Sequence, residues 1–319
     1  MHTELLQLLV CPDCHTSFTQ QPSGVDIMTD GLLTCASGHE FAVVQGVPRL
    51  VGHQLDADQN RTRESFGHEW TVLYPEHGHT AEERQAERDI FLEYTRTVPS
   101  DFRGKLVLDA GCGNGRYARL VNDWGARVVA VDISSAVDVA QRNVGNRPGV
   151  DVVQADLFRL PFRPETFDIV YSVGVLHHTP DARGAFASIQ RVVKPGGFFS
   201  IFIHGQGNRV LHATNLALRR LTARSSYAAT WRFSRVLTGI GKLLVSIPFA
   251  GPMLYLMGRQ VVYFSPDLHN NFDHYSAGFT SFHRKDEIRG WYAGWEDVVV
   301  RYAGVANESI YARGAKPAG

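Results

Sequence analysis

From residue 105 onward, short apolar runs alternate with longer segments in which apolar residues recur every three or four positions, the rhythm of a doubly wound α/β sheet. The runs predict strands at 105–110 (KLVLDA), 127–132 (RVVAVD), 150–154 (VDVVQ), 167–173 (FDIVYSV) and 197–203 (GFFSIFI). The periodic segments predict helices near 115–124, 135–146 and 181–193. Residues 295–302 (WEDVVVRY) and 308–316 (ESIYARGAK) read as two last strands paired across 303–307. Ahead of this core, GVDIMTDGLLTC reads as a hairpin turning at Asp30-Gly31, and HEFAVVQGVPRLV as one following strand that ends at Pro48.

Composition narrows the class. A chain of 319 residues, 44% hydrophobic and 20% charged, accommodates one large catalytic domain with a small appendage and excludes a disordered or fibrous protein. Lys+Arg and Asp+Glu number 32 each, which disfavours a protein that holds nucleic acid by bulk charge. That balance is uneven along the chain. Residues 182–266 contain eleven Lys/Arg and no Asp or Glu, so the remainder carries 21 basic against 32 acidic residues, a net −11. The N-terminus, MHTELLQLLVCPDC, lacks the basic region and cleavage signal of a secretory peptide, which makes a cytoplasmic location the expectation.

Three of the four cysteines fall in a spacing that carries chemistry. Cys11-x2-Cys14 is followed by Cys35-x3-His39, two ligand pairs on tight turns that can close a tetrahedral zinc site with no open position. Some fifty residues bury little core, and a metal clip is the expected way to stabilise them. The layout CPDC, C-x3-H, GVPRLV resembles the zinc ribbon of tRNA methyltransferase activators and of bacterial 23S rRNA guanine methyltransferases. The metal's role would be structural.

The first core strand runs into Asp109-Ala110-Gly111-Cys112-Gly113-Asn114-Gly115 and then a helix. Glycines at alternate positions let the backbone turn sharply against a ligand, and the helix start offers free N–H groups. Asp132 ends the second strand, 23 residues beyond Asp109, where a carboxylate can accept both ribose hydroxyls of a nucleotide-like cofactor. Dinucleotide enzymes share this logic, but an acidic residue ahead of the glycines would repel a pyrophosphate and can sit beside a positively charged methionyl group. Ala155-Asp156-Leu157 after the third strand, the run FDIV and then VLHHTPD around the fourth, and the closing VVKPGG complete an ordered series. Over roughly 104–204 it resembles a class I S-adenosylmethionine-dependent methyltransferase. The resemblance implies a Rossmann-like, seven-stranded sheet with an antiparallel final strand. It places Asp109, Gly111 and Gly113 on the methionyl side, Asp132 and Ile133 at the ribose, Asp156 and Leu157 at the adenine, and Ser172 and Val173 under the sulfonium.

The acceptor must be chosen outside that series. The segment 61–74 concentrates Phe66, His68, Trp70 and Tyr74, which either fold over the cofactor and wall the acceptor pocket or dock the ribbon. The acid-free stretch from Gly205 to about Pro266 interleaves Arg219, Arg220, Arg224, Arg232, Arg235, Lys242 and Arg259 with apolar residues. Gly239, Gly241, Pro248, Gly251 and Pro252 break it as a membrane span, so it reads as an inserted helical lid. Such a lid suits a lipophilic acceptor bearing an anionic group, or a transient approach to an anionic membrane; a covering subdomain or dimer interface explains the same residues. The third region, 270–292, reads as a loop crossing the acceptor mouth, with an amphipathic helix starting near Arg284. Asp273, Tyr275 and His283 in it are candidates for orienting or deprotonating an acceptor. His177, His178 and His204, at the carboxyl ends of the fourth and fifth strands, are candidate general bases, since an imidazole with an unperturbed pKa of about 6.5 suits that work.

The domain reading is therefore zinc ribbon 1–52, linker and aromatic segment 53–103, cofactor core 104–204, basic apolar lid 205–268, and acceptor loop with final helix and strands 269–319. The leading function is in-line methyl transfer to a small, lipophilic secondary metabolite or lipid-like acid, with S-adenosylmethionine as cofactor and Zn2+ as a structural ion. An rRNA or tRNA base methyltransferase and a non-catalytic cofactor-binding scaffold are the alternatives, and no sequence feature selects an oligomeric state.

Overall fold

The computed structural model describes residues 1–319 apart from 23, 25, 53–56, 74–79, 223–224 and 305, so Tyr74 and Arg224 lie outside the described residues. Its strands are β1 Phe18–Gln21, β2 Gly31–Cys35, β3 Glu40–Val44, β4 Val47–Leu50, β5 Leu106–Ala110, β6 Arg127–Asp132, β7 Val150–Ala155, β8 Phe167–Val173, β9 Val193–His204, β10 Glu296–Ala303 and β11 Ser309–Ala315. The helices are α1 Thr3–Leu6, α2 Ala57–His68, α3 Ala81–Thr95, α4 Arg116–Asp123, α5 Ala136–Val144, α6 Ala182–Gln190, α7 Arg209–Thr222, α8 Tyr227–Ser246, α9 Gly251–Arg259, α10 Leu268–Ser276 and α11 Lys285–Trp291.

The core is a Rossmann-like mixed sheet in which β7, β6, β5, β8 and β9 run parallel and β11 is inserted antiparallel between β9 and β10. All six residues of β7 are buried, as are the four central residues of β6, which is why the centre of β6 is an unbroken Val/Ala run and β7 is mostly Val and Ala rather than alternating. Local signals fix the helices between them. Asp181 accepts from Gly184 N at 2.9 Å to start α6, and Thr80 with Glu83 forms a capping box that starts α3.

The sheet has eleven strands, not seven. Its order is β1-β2-β3-β4-β7-β6-β5-β8-β9-β11-β10, because the last N-terminal strand pairs parallel to the core's edge through Arg49↔Gln154 and Leu50↔Ala155. The N-terminal module also shares the core's apolar cluster: Leu5, Leu9, Leu33 and Phe41 are buried in the same continuous group as Leu108, Val131 and Val153. Within that module two details differ from expectation. The strand opposite β2 is Phe18–Gln21, so Gly31 begins β2 and Asp30-Gly31 is not a two-residue hairpin turn. The run after His39 is two strands, because Gln45 and Gly46 both adopt positive φ (52° and 81°) and fold it into a tight hairpin.

Residues 209–259 are three helices, and 268–276 is a fourth where a loop was expected. Asp267 accepts from His269 N at 2.7 Å and caps it. These helices close around a small cluster of Leu237, Phe264 and Tyr275, separate from the apolar groups on the two faces of the sheet.

Candidate functional site

At the carboxyl ends of the parallel strands lies a cavity of about 460 Å³. The loop after β5 forms one wall. Gly111 and Gly113 adopt φ of 94° and 53°, and a Cβ on them would stand 2.3 Å from Val175 and 2.9 Å from Trp70. Only glycine fits a loop held that closely between β8's exit and the tryptophan. Asp132, at the end of β6, accepts from Gly113 N at 3.0 Å and from Ser134 N and Oγ at 2.9 and 2.7 Å. A carboxylate offers about four lone-pair sites, so roughly one is left for a ligand. Ile133, Asp156, Leu157 and Val173 complete this wall; Asp156 also caps the turn behind it by accepting from Phe158 N at 3.0 Å, and burial raises its carboxyl.

Two of the expected cofactor residues stand behind the wall. Ser172 is fully buried and donates to the Ala110 carbonyl at 2.8 Å, so it braces the glycine loop from below. Asp109 is 2% exposed with Oδ2 unpartnered. Burial pushes its carboxyl up to about 7, against the opposing pull of the Tyr171 hydroxyl.

The opposite wall is rich in histidine. His177 and His178 occupy the turn Leu176–His178 after β8, and His204 ends β9, its ring stacked on His177 at 3.7 Å. His178 Nδ1 lies 3.0 Å from the Phe279 carbonyl, which can only accept, so this nitrogen carries the proton; Nε2 faces Asp273 Oδ1 at 3.4 Å. Burial opposes ionisation of Asp273, but the neighbouring His178 and His269 more than offset it and hold the carboxyl down at about 2. Burial, reinforced by the neighbouring imidazoles, drives His177 well below its usual range and His204 to about 3, keeping both rings neutral. His177, His178 and Asp273, all singled out from sequence, thus meet at one surface of the cavity.

Tyr275 and His283 do not join them. Tyr275 is fully buried and donates to the Tyr263 carbonyl at 2.7 Å within the helical cluster. His283 is clamped through both nitrogens, Nε2 to Ser281 Oγ at 2.8 Å and Nδ1 to Glu287 Oε1 at 2.7 Å, and bridges to Gly205. The helical register of α10 is the cause: it turns Asp273 toward the cavity and Tyr275, two residues on, into the core.

Sequence reasoning missed a buried pair that closes the site. Glu69, fully buried in the π-helical turn Glu69–Leu73, meets His269 Nδ1 at 2.9 Å. Burial raises the Glu69 carboxyl; it opposes protonation of His269, which Glu69 nonetheless raises. Trp70 packs on His269 with ring centroids 5.0 Å apart, and Phe66 lies 5.1 Å from His178. The aromatic segment therefore walls the cavity and does not merely dock the ribbon. An acid followed by Trp in an aromatic run was the available signal. Arg259 was read only as part of a basic stretch, yet it is 8% exposed, lines the cavity, and is ion-paired with Glu308.

Away from this cavity, Cys11, Cys14, Cys35 and His39 bring their ligand atoms within 4.8 Å of one another. Cys14 Sγ lies 3.5 Å from Cys35 Sγ, and Cys11 Sγ 3.4 Å from His39 Nδ1.

Residues 108–201, from the glycine loop's strand to β9, match the methyltransferase-domain family. The match identifies a methyltransferase domain within the chain. Over 104 residues, 31% of the chain, it is 35% identical to a sterol 24-C-methyltransferase of Gibberella zeae. Over 109 residues, 33% of the chain, it is 35% identical to the phthiotriol/phenolphthiotriol dimycocerosates methyltransferase of Mycobacterium tuberculosis. These matches span 27% and 40% of the two relatives. An S-adenosylmethionine-dependent methyltransferase from Mesorhizobium loti is 28% identical, covering 40% of this chain and 54% of that one, with a TM-score of 0.32. The matched methyltransferase segment leaves out the N-terminal module and the helices after β9, where this chain departs from a bare catalytic core.

Proposed function

We propose that this protein methylates a small lipophilic molecule carrying an acidic hydroxyl, of the kind found among secondary metabolites and lipid-like acids, in the cytoplasm. The observation that carries this reading is the continuity of one cavity from the glycine loop and Asp132 to the His178–Asp273 pair, with Phe66, Trp70, Ile90 and Phe279 among its walls. Relatives named for sterol and phthiotriol dimycocerosate methylation support an apolar acceptor.

S-adenosylmethionine, when bound, supplies an electrophilic methyl group on a positively charged sulfur. The glycine loop fits such a ligand because only bare backbone can lie there, and the free lone pair of Asp132 suits a ribose hydroxyl. Ile133, Asp156 and Leu157 would flank the adenine and Val173 the sulfur, with Asp109 buried beneath the glycine loop. The acceptor's proton passes to the His178–Asp273 pair, in which the Phe279 carbonyl orients the imidazole and the Asp273 carboxylate faces its other nitrogen. His177 and His204, held neutral, pack the floor without competing for that proton. Alignment and exclusion of water supply the remaining advantage.

In the N-terminal module, three thiols and one imidazole are a donor set for structural zinc. Their 3.4 and 3.5 Å separations are close to the edges of a tetrahedron with ligands at about 2.0–2.3 Å.

Purified protein incubated with cofactor and a panel of lipophilic phenols and hydroxy acids is expected to yield products heavier by one methylene. His178→Ala is expected to lower kcat by roughly 10²–10⁴-fold while leaving S-adenosylhomocysteine affinity unchanged. Methylation of structured RNA to the exclusion of every lipophilic acceptor would overturn the proposal.

A further inference from the structure

The helices after β9 are patterned inside out. In α8 the buried residues are Thr230, Ser234, Leu237, Thr238 and Gly241, whereas Val236, Ile240 and Leu243, spaced four and three apart, face outward at 61%, 43% and 64% exposure. In α9 the buried residues are Gly251 and Arg259, while Met253, Leu254, Leu256 and Met257 are exposed. Between the two helices Phe249 projects completely, on a backbone with φ of 60°, a conformation costly for a bulky side chain. Fourteen of the nineteen exposed large hydrophobic residues among those described fall within 210–261. An amphipathic helix in water shows the reverse arrangement, so the outer face is built for an apolar surrounding.

The charge beside that face selects which surrounding. Arg232, Arg235 and Lys242 are exposed on α8, and the sequence contains no Asp or Glu from 182 to 266. A second copy docking this ridge about a twofold axis would bring these cations against their own equivalents, with no acid from the same stretch to neutralise them. An anionic lipid surface complements both features at once, accepting apolar side chains below and cationic heads at the phosphate level. No helix among the described residues is long and apolar enough to cross a membrane, so the contact is peripheral.

We propose that the α8–α9 hairpin seats the protein on an anionic bilayer, with Phe249 at its tip inserted among the acyl chains. The inward side of the same element walls the cavity: Arg259 at the end of α9, then Tyr263 and Ser265, line it. The bilayer is thus the source from which a lipophilic acceptor enters. In that respect the inference rests on the reading of the acceptor given above, but docking itself is measured without turnover.

The test is co-sedimentation of the full chain with phosphatidylcholine vesicles containing or lacking phosphatidylglycerol, with S-adenosylhomocysteine affinity measured in parallel. The protein is expected to partition onto the anionic vesicles, less onto neutral ones, and progressively less as salt rises. The triple variant Phe249→Ser, Met253→Ser, Leu256→Ser is expected to lose at least about tenfold in partitioning while its cofactor-product affinity and melting temperature are unchanged. Equal partitioning of wild type and triple variant would overturn the proposal. So would absence from all vesicles, or a wild-type dimer in solution that the triple substitution dissociates while vesicle binding is nil. If docking holds and every lipophilic acceptor fails, the acceptor reading falls and the docking surface stands.

Discussion

The parallel core and the helices that follow β9 treat the same residue types in opposite ways. In β5 through β8 aliphatic side chains are sealed between layers, Val107, Leu108, Val128 and Val129 all being fully buried. In α8 and α9 most aliphatic side chains face outward, while Thr230, Ser234, Thr238 and Arg259 face inward. Both regions are rich in apolar residues but have different partners: the core's apolar surface is satisfied within the chain, and the helical hairpin's outer face is not. Hydrophobicity in the first region reports stability; in the second it reports a surface awaiting something else.

Substitutions can break or sharpen that contrast. The largest effect is expected where the helical region does bury charge. Arg259 donates to the Phe264 carbonyl at 2.9 Å and pairs with Glu308. Glu308→Gln strands a buried guanidinium and is expected to cost about 3–5 kcal/mol in chemical denaturation. A loss below about 1 kcal/mol would mean that the pair is hydrated in solution. Next, a matched pair of truncations compares the regions directly. Leu108→Ala should destabilise by about 2–5 kcal/mol, while Leu243→Ala should stay within about 0.5 kcal/mol. Equal costs would show that the hairpin's outer face is covered.

The smallest effect comes from Asp109. Its carboxyl is raised in the folded protein, so the native state holds a proton that the unfolded chain has lost, and stability falls as pH rises from about 4 to about 7. The penalty is complete above that window. Between pH 6 and 8 it should grow by about 1.4 kcal/mol, and Asp109→Asn should remove the slope. Melting curves of the two proteins across this range decide it; parallel pH dependence would mean that Asp109 is ionised when folded.

What was legible in the sequence follows the same division. Core strands were readable because burial on both faces makes them predominantly apolar, and the glycine loop because its backbone tolerates no Cβ. The meeting of His177 and His178 with Asp273 was anticipated in part, since strand ends predict a common rim. Tyr275 was misplaced because a segment that folds as a helix was read as a loop, and helical register sends residues two apart to opposite sides; His283 lies beyond that helix and is held by Ser281 and Glu287. The Glu69–His269 pair joins positions 200 residues apart; the acid before Trp70 marks one partner locally, but nothing local names the other. The polarity of α8 was hidden for another reason: apolar periodicity reveals that a helix has two faces without saying which one is inside.

The short parallel pairing of β4 with β7 also bears on how the chain behaves in concentrated solution. A flat strand at the rim of a sheet is a template on which other chains can stack, and many proteins blunt it with charge, proline or a bulge. Here the N-terminal module lies against that rim, with Pro48 in the covering strand and Arg49 reaching back to Asp138. Beyond any metal it carries, the module is an edge guard. A version beginning at residue 53 would uncover β7 and is expected to self-associate even if its active cavity were intact.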